Sequence, residues 1–358
     1  MNRYIPLSGI LELTLACNFN CLHCGSHAGC KRNDELSQQE WKNVITELAS
    51  MGCKHLTLMG GEITLRPDWL EISKFITGYG IECSVVTNGY LVDEDLVKKM
   101  KEVGIKNVSV SLDASSAEEH DKIRGKKGAF ERALKTIELA SKYGLTPAVI
   151  TTVNKKNQFE LENIYKLLSD YKFNLYWKVE LASCHKNKFS EEYIVDEETF
   201  LNVCKFISKY KRLNALDNSG LILLESHDVG YMSSIYPNLS CKFSLKGGCN
   251  AGICGFGIQS NGNVKGCLAL DDNFIEGNIR EKPFSHIWNG HKNFKYTRYF
   301  KHSYLQGICK DCPMALSKKC SGGCRDFSRS TTGSIYNTPF CLYNSLERGN
   351  DSPTLTNN

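Results

Sequence analysis

The sequence has no apolar run long enough to cross a bilayer. Its longest, such as Leu221 to Leu224, fall far short of the ~20 residues a spanning helix needs. Met1-Asn2-Arg3-Tyr4-Ile5-Pro6 lacks the apolar stretch of a signal peptide. Charge of one sign is scarce: Lys and Arg exceed Asp and Glu by 44 − 39 = 5, too little for a dedicated nucleic-acid surface. There is neither an internal repeat nor a low-complexity tract. With 41% hydrophobic and 23% charged residues, wholesale disorder, a collagen-like rod and a coiled coil are excluded. At about 150 residues per domain, 358 residues make two domains, or one large barrel with an appendage.

Cysteine, by contrast, is abundant. Seventeen is an odd number, so complete disulfide pairing is impossible, and the chain is too long to need stapling. Without a secretory signal, this richness places the protein in the reducing cytoplasm and points to metal.

Strand-like and helix-like patterns alternate between residues 8 and 212. Leu11, Leu13 and Leu15 share one face of a strand, and Ser37-Gln38-Gln39-Glu40 is a capping box. Trp41, Val44, Ile45 and Leu48 follow it at helical spacing. Further strands are expected over 55–59, 81–86, 107–112, 145–153 and 175–181. Helices are expected over 94–103, 128–143 and 161–168. Six β-then-α units imply an α/β fold with parallel strands, a partial (β/α)6 TIM barrel over 1–212. Its active site would lie at the strand C-terminal ends. Beyond it come a linker over 213–240, a small Cys-rich domain over 241–345 and a polar tail over 346–358.

Cys17-Asn18-Phe19-Asn20-Cys21-Leu22-His23-Cys24 directly follows the first strand, with spacing C-x3-C-x2-C. A zinc site usually completes four protein ligands. Here no fourth is obvious, because Cys30 sits beside Lys31 and Arg32 in a setting suited to solvent. Three thiolates on one loop suit a four-iron cluster with one iron left open for a substrate or cofactor. A zinc knuckle is the bland alternative, and the active-site position of the loop argues against it.

The motif resembles the hallmark of the radical SAM superfamily, over roughly residues 8 to 212. His23 stands where that family usually has an aromatic or similar residue. The resemblance implies a [4Fe–4S] cluster on Cys17, Cys21 and Cys24, whose open iron is chelated by S-adenosylmethionine. One-electron cleavage then releases a 5′-deoxyadenosyl radical, which abstracts hydrogen from the substrate. Gly60-Gly61-Glu62 matches the segment that binds the cofactor's amino group, although Ile63 replaces the usual Pro. By the same resemblance Thr87, Asn88, Ser111 and Asp113 bind the ribose and methionine groups. Arg124, within His120 to Gly125, contacts the cofactor carboxylate. Ser109 is read as an ordinary strand residue.

Eight further cysteines gather in the C-terminal part: Cys249, Cys254, Cys267, Cys309, Cys312, Cys320, Cys324 and Cys341. With Gly262 before Cys267 they resemble the SPASM domain, apart from a seven-residue gap between Cys312 and Cys320 where five is usual. The resemblance implies one auxiliary cluster on Cys249, Cys254, Cys267 and Cys324. It implies a second on Cys309, Cys312, Cys320 and Cys341. A pair of structural zinc sites is the alternative. Cys30, Cys53, Cys83, Cys184, Cys204 and Cys241 receive no role.

Radical SAM proteins with this extension mostly modify peptides or proteins after translation, so the expected substrate is a ribosomally made peptide or protein. Only 16 residues precede Cys17, so either a separate leader-binding protein is a partner or a leader binds elsewhere on the chain. An electron donor such as flavodoxin or ferredoxin is another, while membrane and nucleic acid are not. Leu268 replaces the acidic residue of sulfatase maturases. A small-molecule dehydrogenase acting on an aminocyclitol or sugar is the runner-up, and a non-catalytic metal-binding protein the third reading. Any of Glu180, His185, Glu225, His227 and Asp228 could serve as acid or base.

Overall fold

The computed structural model describes residues 4–183, 190–217, 220–229, 233–239 and 248–348. Seven parallel strands follow one another across an open sheet: β1 (Ser8–Glu12), β2 (His55–Met59), β3 (Glu82–Thr87), β4 (Asn107–Ser111), β5 (Thr146–Val153), β6 (Leu175–Leu181) and β7 (Leu221–Glu225). The intervening helices are α1 (Gln38–Ser50), α2 (Trp69–Gly78), α3 (Glu94–Glu102), α4 (Ala117–Arg124), α5 (Ala129–Lys142), α6 (Leu161–Ser169) and α7 (Glu197–Asp217). This is the mixed α/β partial barrel expected from the alternation.

The period-two burial of the strands explains how sheet and helices meet. Leu11, Leu56, Leu58, Val85 and Val108 point outward and pack against Trp41, Val44 and Ile45 of α1 and Ile72 and Ile76 of α2. Val149, Trp177, Val179 and Leu223 do the same beneath α5, α6 and α7. Each such side chain contributes about 1.5–3 kcal/mol by leaving water. Ser37 caps α1 with both halves of the capping box in place. The opposite, inward positions remain partly open and carry most of the sheet's polar side chains.

Two expectations need correction. The stretch 213–240 is not a plain linker, because it holds the end of α7 and strand β7, which pairs in parallel with β6 from Leu175↔Leu221 onward. Leu221-Ile222-Leu223-Leu224 is β-compatible and apolar, and burying Leu221 and Leu223 extends the sheet by a seventh strand. Nor does the Cys-rich part stand apart from the sheet. Its strand β8 (Gly255–Ile258) pairs in parallel with β1, and β9 (Asn263–Lys265) and β10 (Ile275–Asn278) continue antiparallel beyond it. Gly9 permits this close join: a Cβ there would lie 2.2 Å from the Phe256 ring. Cys184, His185, Cys241 and residues 349–358 lie outside the described residues. No helix among the described residues is long and apolar enough to cross a membrane.

Candidate active site

The chain leaves β1 and folds back on itself before α1. Cys17 N–H donates to Gly29 O and Gly29 N–H to Leu15 O, both at 2.9 Å. That closure brings Cys17, Cys21 and Cys24 onto one loop at the C-terminal end of the strands. Leu22 N–H donates to Ile123 O at 3.0 Å and ties the loop to α4. Backbone N–H groups of Phe19 and Ala28 point at the sulfurs of Cys17 and Cys24, at 3.4 and 3.3 Å. Burial pushes the Cys17 thiol up to about 11, and the nearby Cys21, Glu62 and Cys24 add to it. Such thiols ionise readily only when a cation compensates them, as a metal does. Cys30 is exposed, matching its polar surroundings in the sequence.

Gly60 and Gly61 make a close contact within the chain. Built at these positions, Cβ atoms would sit 2.3 Å from Thr14 O and 2.4 Å from Ala16 O. The two glycines therefore let the end of β2 lie directly against the cysteine loop, where Gly61 N–H and Glu62 N–H donate to those same carbonyls. Glu62 is buried and central. Its Oε1 accepts from Thr64 N, Thr64 Oγ1 and Thr87 Oγ1, and its Oε2 from Asn88 N at 2.7 Å. Oε2 thus keeps acceptor capacity for one more donor. Burial raises the Glu62 pKa, while those hydrogen bonds oppose the rise. Asn88 also donates from Nδ2 to Asn18 Oδ1 at 2.7 Å, linking the end of β3 to the cysteine loop.

Asp113 follows β4 and is wholly buried. Arg124 Nη2 lies 2.6 Å from Asp113 Oδ2, and His23 Nε2 lies 3.4 Å from the same oxygen. Asp113 Oδ1 accepts from Thr152 N. Burial opposes the Asp113 charge, yet Arg124 and then His23 hold its pKa below the ordinary carboxylate value. Burial pushes His23 down to about 4, so its ring is neutral at pH 7. Its Nδ1 and the Nε of Arg124 are buried without partners among the described residues. His120 and Asn157 were not singled out in the sequence. His120 Nδ1 accepts from Asp113 N and Asn157 Nδ2 donates to Asp113 O, so both hold this group in place. The signal for His120 was its place in the Arg124 segment, and Asn157 had none.

The inward face carries Thr57, Ser84, Ser109, Ser111, Thr152, Lys178 and Glu180. Lys178 Nζ pairs with Glu180 Oε2 at 2.9 Å, and Thr152 Oγ1 donates to Glu180 Oε1 at 3.2 Å. Beyond β7, Asp228 is buried and accepts from Leu181 N at 2.8 Å through Oδ2, while its Oδ1 has no partner among the described residues. Burial and the neighbouring Glu180 push Asp228 up to about 7. Of the other acid–base candidates, Glu225 pairs with Lys211 of α7 at 2.6 Å, and His227 is exposed. Lys178 was readable only from the alternation Tyr176, Lys178, Glu180 along β6.

Among the C-terminal cysteines, charge effects run within two groups. Cys249 raises the pKa of Cys254, Cys267 and Cys324, beneath the larger effect of burial. Beneath burial, Cys309 is raised by Cys320 and Cys312, Cys320 by Cys312, and Cys341 by Cys320 and Cys309. The first group adjoins the inward face: the Cys267 charge acts on Lys178, and that of Asp228 on Cys324. Asp271 is committed to Arg329 at 2.7 Å. Among the described residues, no three His, Cys, Asp or Glu side chains converge tightly enough to hold a single metal ion.

The comparisons with known proteins agree with this geometry. The radical SAM superfamily model matches residues 11–168, and that of the SPASM iron–sulfur cluster-binding domain matches 249–313. An AdoMet-dependent heme synthase of Methanosarcina barkeri is 32% identical, over 93% of this chain and 95% of that protein. The mycofactocin maturase MftC of Mycolicibacterium smegmatis is 28% identical, over 89% and 78%. SuiB of Streptococcus suis bound to S-adenosylmethionine superposes with a TM-score of 0.74 at 16% identity, over 93% of this chain and 76% of that one. The anSMEcpe structure with bound AdoMet and a Cp18Cys peptide gives 0.73 at 21%, over 95% and 94%.

The fold and its cysteine loop are those of a class of iron–sulfur enzymes that use S-adenosylmethionine. The chain belongs to the radical SAM superfamily and carries a SPASM domain. Its cofactors are S-adenosylmethionine, a [4Fe–4S] cluster and auxiliary iron–sulfur clusters. The residues present fit them: three free thiols share one loop, and His23 Nδ1 and Arg124 Nε are buried polar atoms without partners among the described residues.

Proposed function

We propose that this protein cleaves S-adenosylmethionine reductively and takes a hydrogen atom from a peptide or protein laid along the inward face of its sheet. Cys17, Cys21 and Cys24 hold the first cluster. The bound cofactor supplies a 5′-deoxyadenosyl radical. Glu62 Oε2 accepts from the cofactor's ammonium, and Arg124 Nε, oriented by Asp113, donates to its carboxylate. Gly60 and Gly61 set the loop against β2. His23, Thr87, Asn88 and Ser111 line the rest of the site, with Thr87 and Asn88 also fixing Glu62. Two auxiliary clusters occupy the C-terminal groups, a reading supported by the match of residues 249–313 to an iron–sulfur cluster-binding domain.

The charge of the inward face carries the substrate reading. Among the described residues, the one cation at inward positions of β1–β7 is Lys178, and Glu180 already pairs with it. Arg124 is likewise paired with Asp113. A substrate rich in carboxylates would need uncommitted cations there, whereas a peptide segment offering N–H and O–H donors meets Glu180 and Asp228. The likeness to the heme synthase, over nearly its whole length, favours a second reading, a tetrapyrrole substrate.

The test incubates the reduced protein and S-adenosylmethionine with short peptides encoded beside its gene, or with iron coproporphyrin III. A mass change in a peptide together with 5′-deoxyadenosine release is expected. Turnover of the porphyrin with every peptide unchanged would replace this reading by the second.

A further inference from the structure

Arg325 is 1% exposed, opens the helix Arg325–Thr332 and follows Cys324 directly. A buried guanidinium is costly unless an opposite charge compensates it. Among the described residues no carboxylate pairs with this one. Nη2 donates to Ser321 O at 2.7 Å, and Nη1 to Gly322 O and Ile335 O at 3.2 and 3.3 Å. The rings of Phe300 and Tyr336 cover its faces at 4.9 and 5.0 Å. Nε is buried without a partner among the described residues.

The cysteines beside it belong to both groups: Cys324 directly precedes it, and Ser321 and Gly322, whose carbonyls its guanidinium holds, directly follow Cys320. Arg325 favours ionisation of Cys249 in the first and of Cys309 and Cys320 in the second, in each case against burial. A short path joins a sulfur of each group through this residue. Nη1 reaches Gly322 O, and Gly322 N–H donates to Cys320 Sγ at 3.4 Å, while Cys324, which directly precedes Arg325, accepts at Sγ from Phe327 N–H at 3.5 Å. Thr338 Oγ1 donates to the same Gly322 carbonyl at 2.6 Å. Gly322 must be glycine for this, because its φ is +85° and a Cβ would lie 2.4 Å from Leu305 and 3.3 Å from Nη1.

We propose that Arg325 is the shared counter-cation of the two C-terminal cysteine groups, holding both auxiliary clusters at a higher reduction potential than their thiolates alone would set. The inference rests on the cluster reading above. A fixed cation and donors near the sulfurs stabilise the more negative, reduced state. Asp326 acts in the opposite sense, on Cys249, Cys267 and Cys324 of the first group only.

The test uses the full chain with Cys17, Cys21 and Cys24 each replaced by Ala, so that only auxiliary centres report. Midpoint potentials are read by EPR during a redox titration of this background and of the same chain carrying Arg325→Met or Arg325→Lys. Arg325→Met is expected to shift both reduction equilibria at least tenfold toward the oxidised state, about 59 mV for a one-electron couple. Arg325→Lys is expected to retain most of both potentials. Full iron with unshifted potentials in Arg325→Met, or a shift in one centre alone, would overturn the proposal. If Arg325→Met takes up too little iron to titrate, Arg325→Lys decides: near-normal loading supports the charge role, and equal failure shows a steric fit and overturns it. Failure of the unaltered C-terminal cysteines to take up iron would overturn the proposal together with the cluster reading.

Discussion

Arg124 and Asp113 form a buried ion pair at the centre of the site, with Nη2 2.6 Å from Oδ2. The other terminal nitrogen of Arg124 lies 4.0 Å from Cys21 Sγ. One guanidinium therefore serves both a strand-end carboxylate and a thiol of the cysteine loop.

Arg124→Met is expected to destabilise the protein by about 3–5 kcal/mol, because Asp113 stays buried without its partner. Asp113→Asn added to it should recover part of that loss. Urea unfolding of the two variants checks this. Equal stability of Arg124→Met and the parent would show that the pair is not needed to hold Asp113.

Gly61→Ala is expected to part the end of β2 from the cysteine loop, since its Cβ would lie 2.4 Å from Ala16 O. Iron retained on Cys17, Cys21 and Cys24, and with it 5′-deoxyadenosine release, should fall by roughly tenfold or more, a loss of at least 1.4 kcal/mol. Gly29→Ala, where a Cβ meets nothing within 4 Å, is the control and should keep both. Similar behaviour of the two variants would contradict the packing role of Gly61.

Much of this was legible in the sequence. The order of strands and helices followed from apolar periodicity, and the cysteine loop from spacing alone. β7 was missed because Leu221-Ile222-Leu223-Leu224 is a short continuous run, without the alternation that marks a half-buried strand. The sharing of one sheet by both parts was also hidden. Parallel pairing of β1 with β8 joins residues about 250 positions apart, and no local pattern announces it. The Asp113–Arg124–His23 group was visible residue by residue, but its mutual contacts were not. Lys178, Asp228 and Arg325 act through what surrounds them, which the sequence does not display.

Asp228 should make stability fall as pH rises. Its pKa is about 7 in the folded protein against 3.8 ordinarily, so between those values the folded state holds the proton more tightly. The penalty is absent below about pH 4 and complete above about pH 7. Asp228→Asn keeps an oxygen for Leu181 N–H and removes the penalty. It should therefore be the more stable protein at pH 8, by a few kcal/mol, with the difference vanishing toward pH 4. Denaturant unfolding at both pH values measures this, and a pH-independent difference would refute it.

Lys178→Met is expected to separate substrate handling from cofactor cleavage. It leaves Glu180 unpaired on the inward face but touches neither the cysteine loop nor Arg124. Release of 5′-deoxyadenosine without substrate should stay near the parent rate, while modification of a substrate falls by roughly 10²-fold. Equal loss of both would place Lys178 in cofactor binding instead.

The central claim is that three groups of cysteines hold three four-iron clusters. Iron, sulfide and zinc measured in one anaerobically reconstituted sample test it directly. The account predicts about 12 iron atoms per chain with matching sulfide and little zinc. About four iron atoms, with zinc or nothing on the C-terminal cysteines, would contradict it.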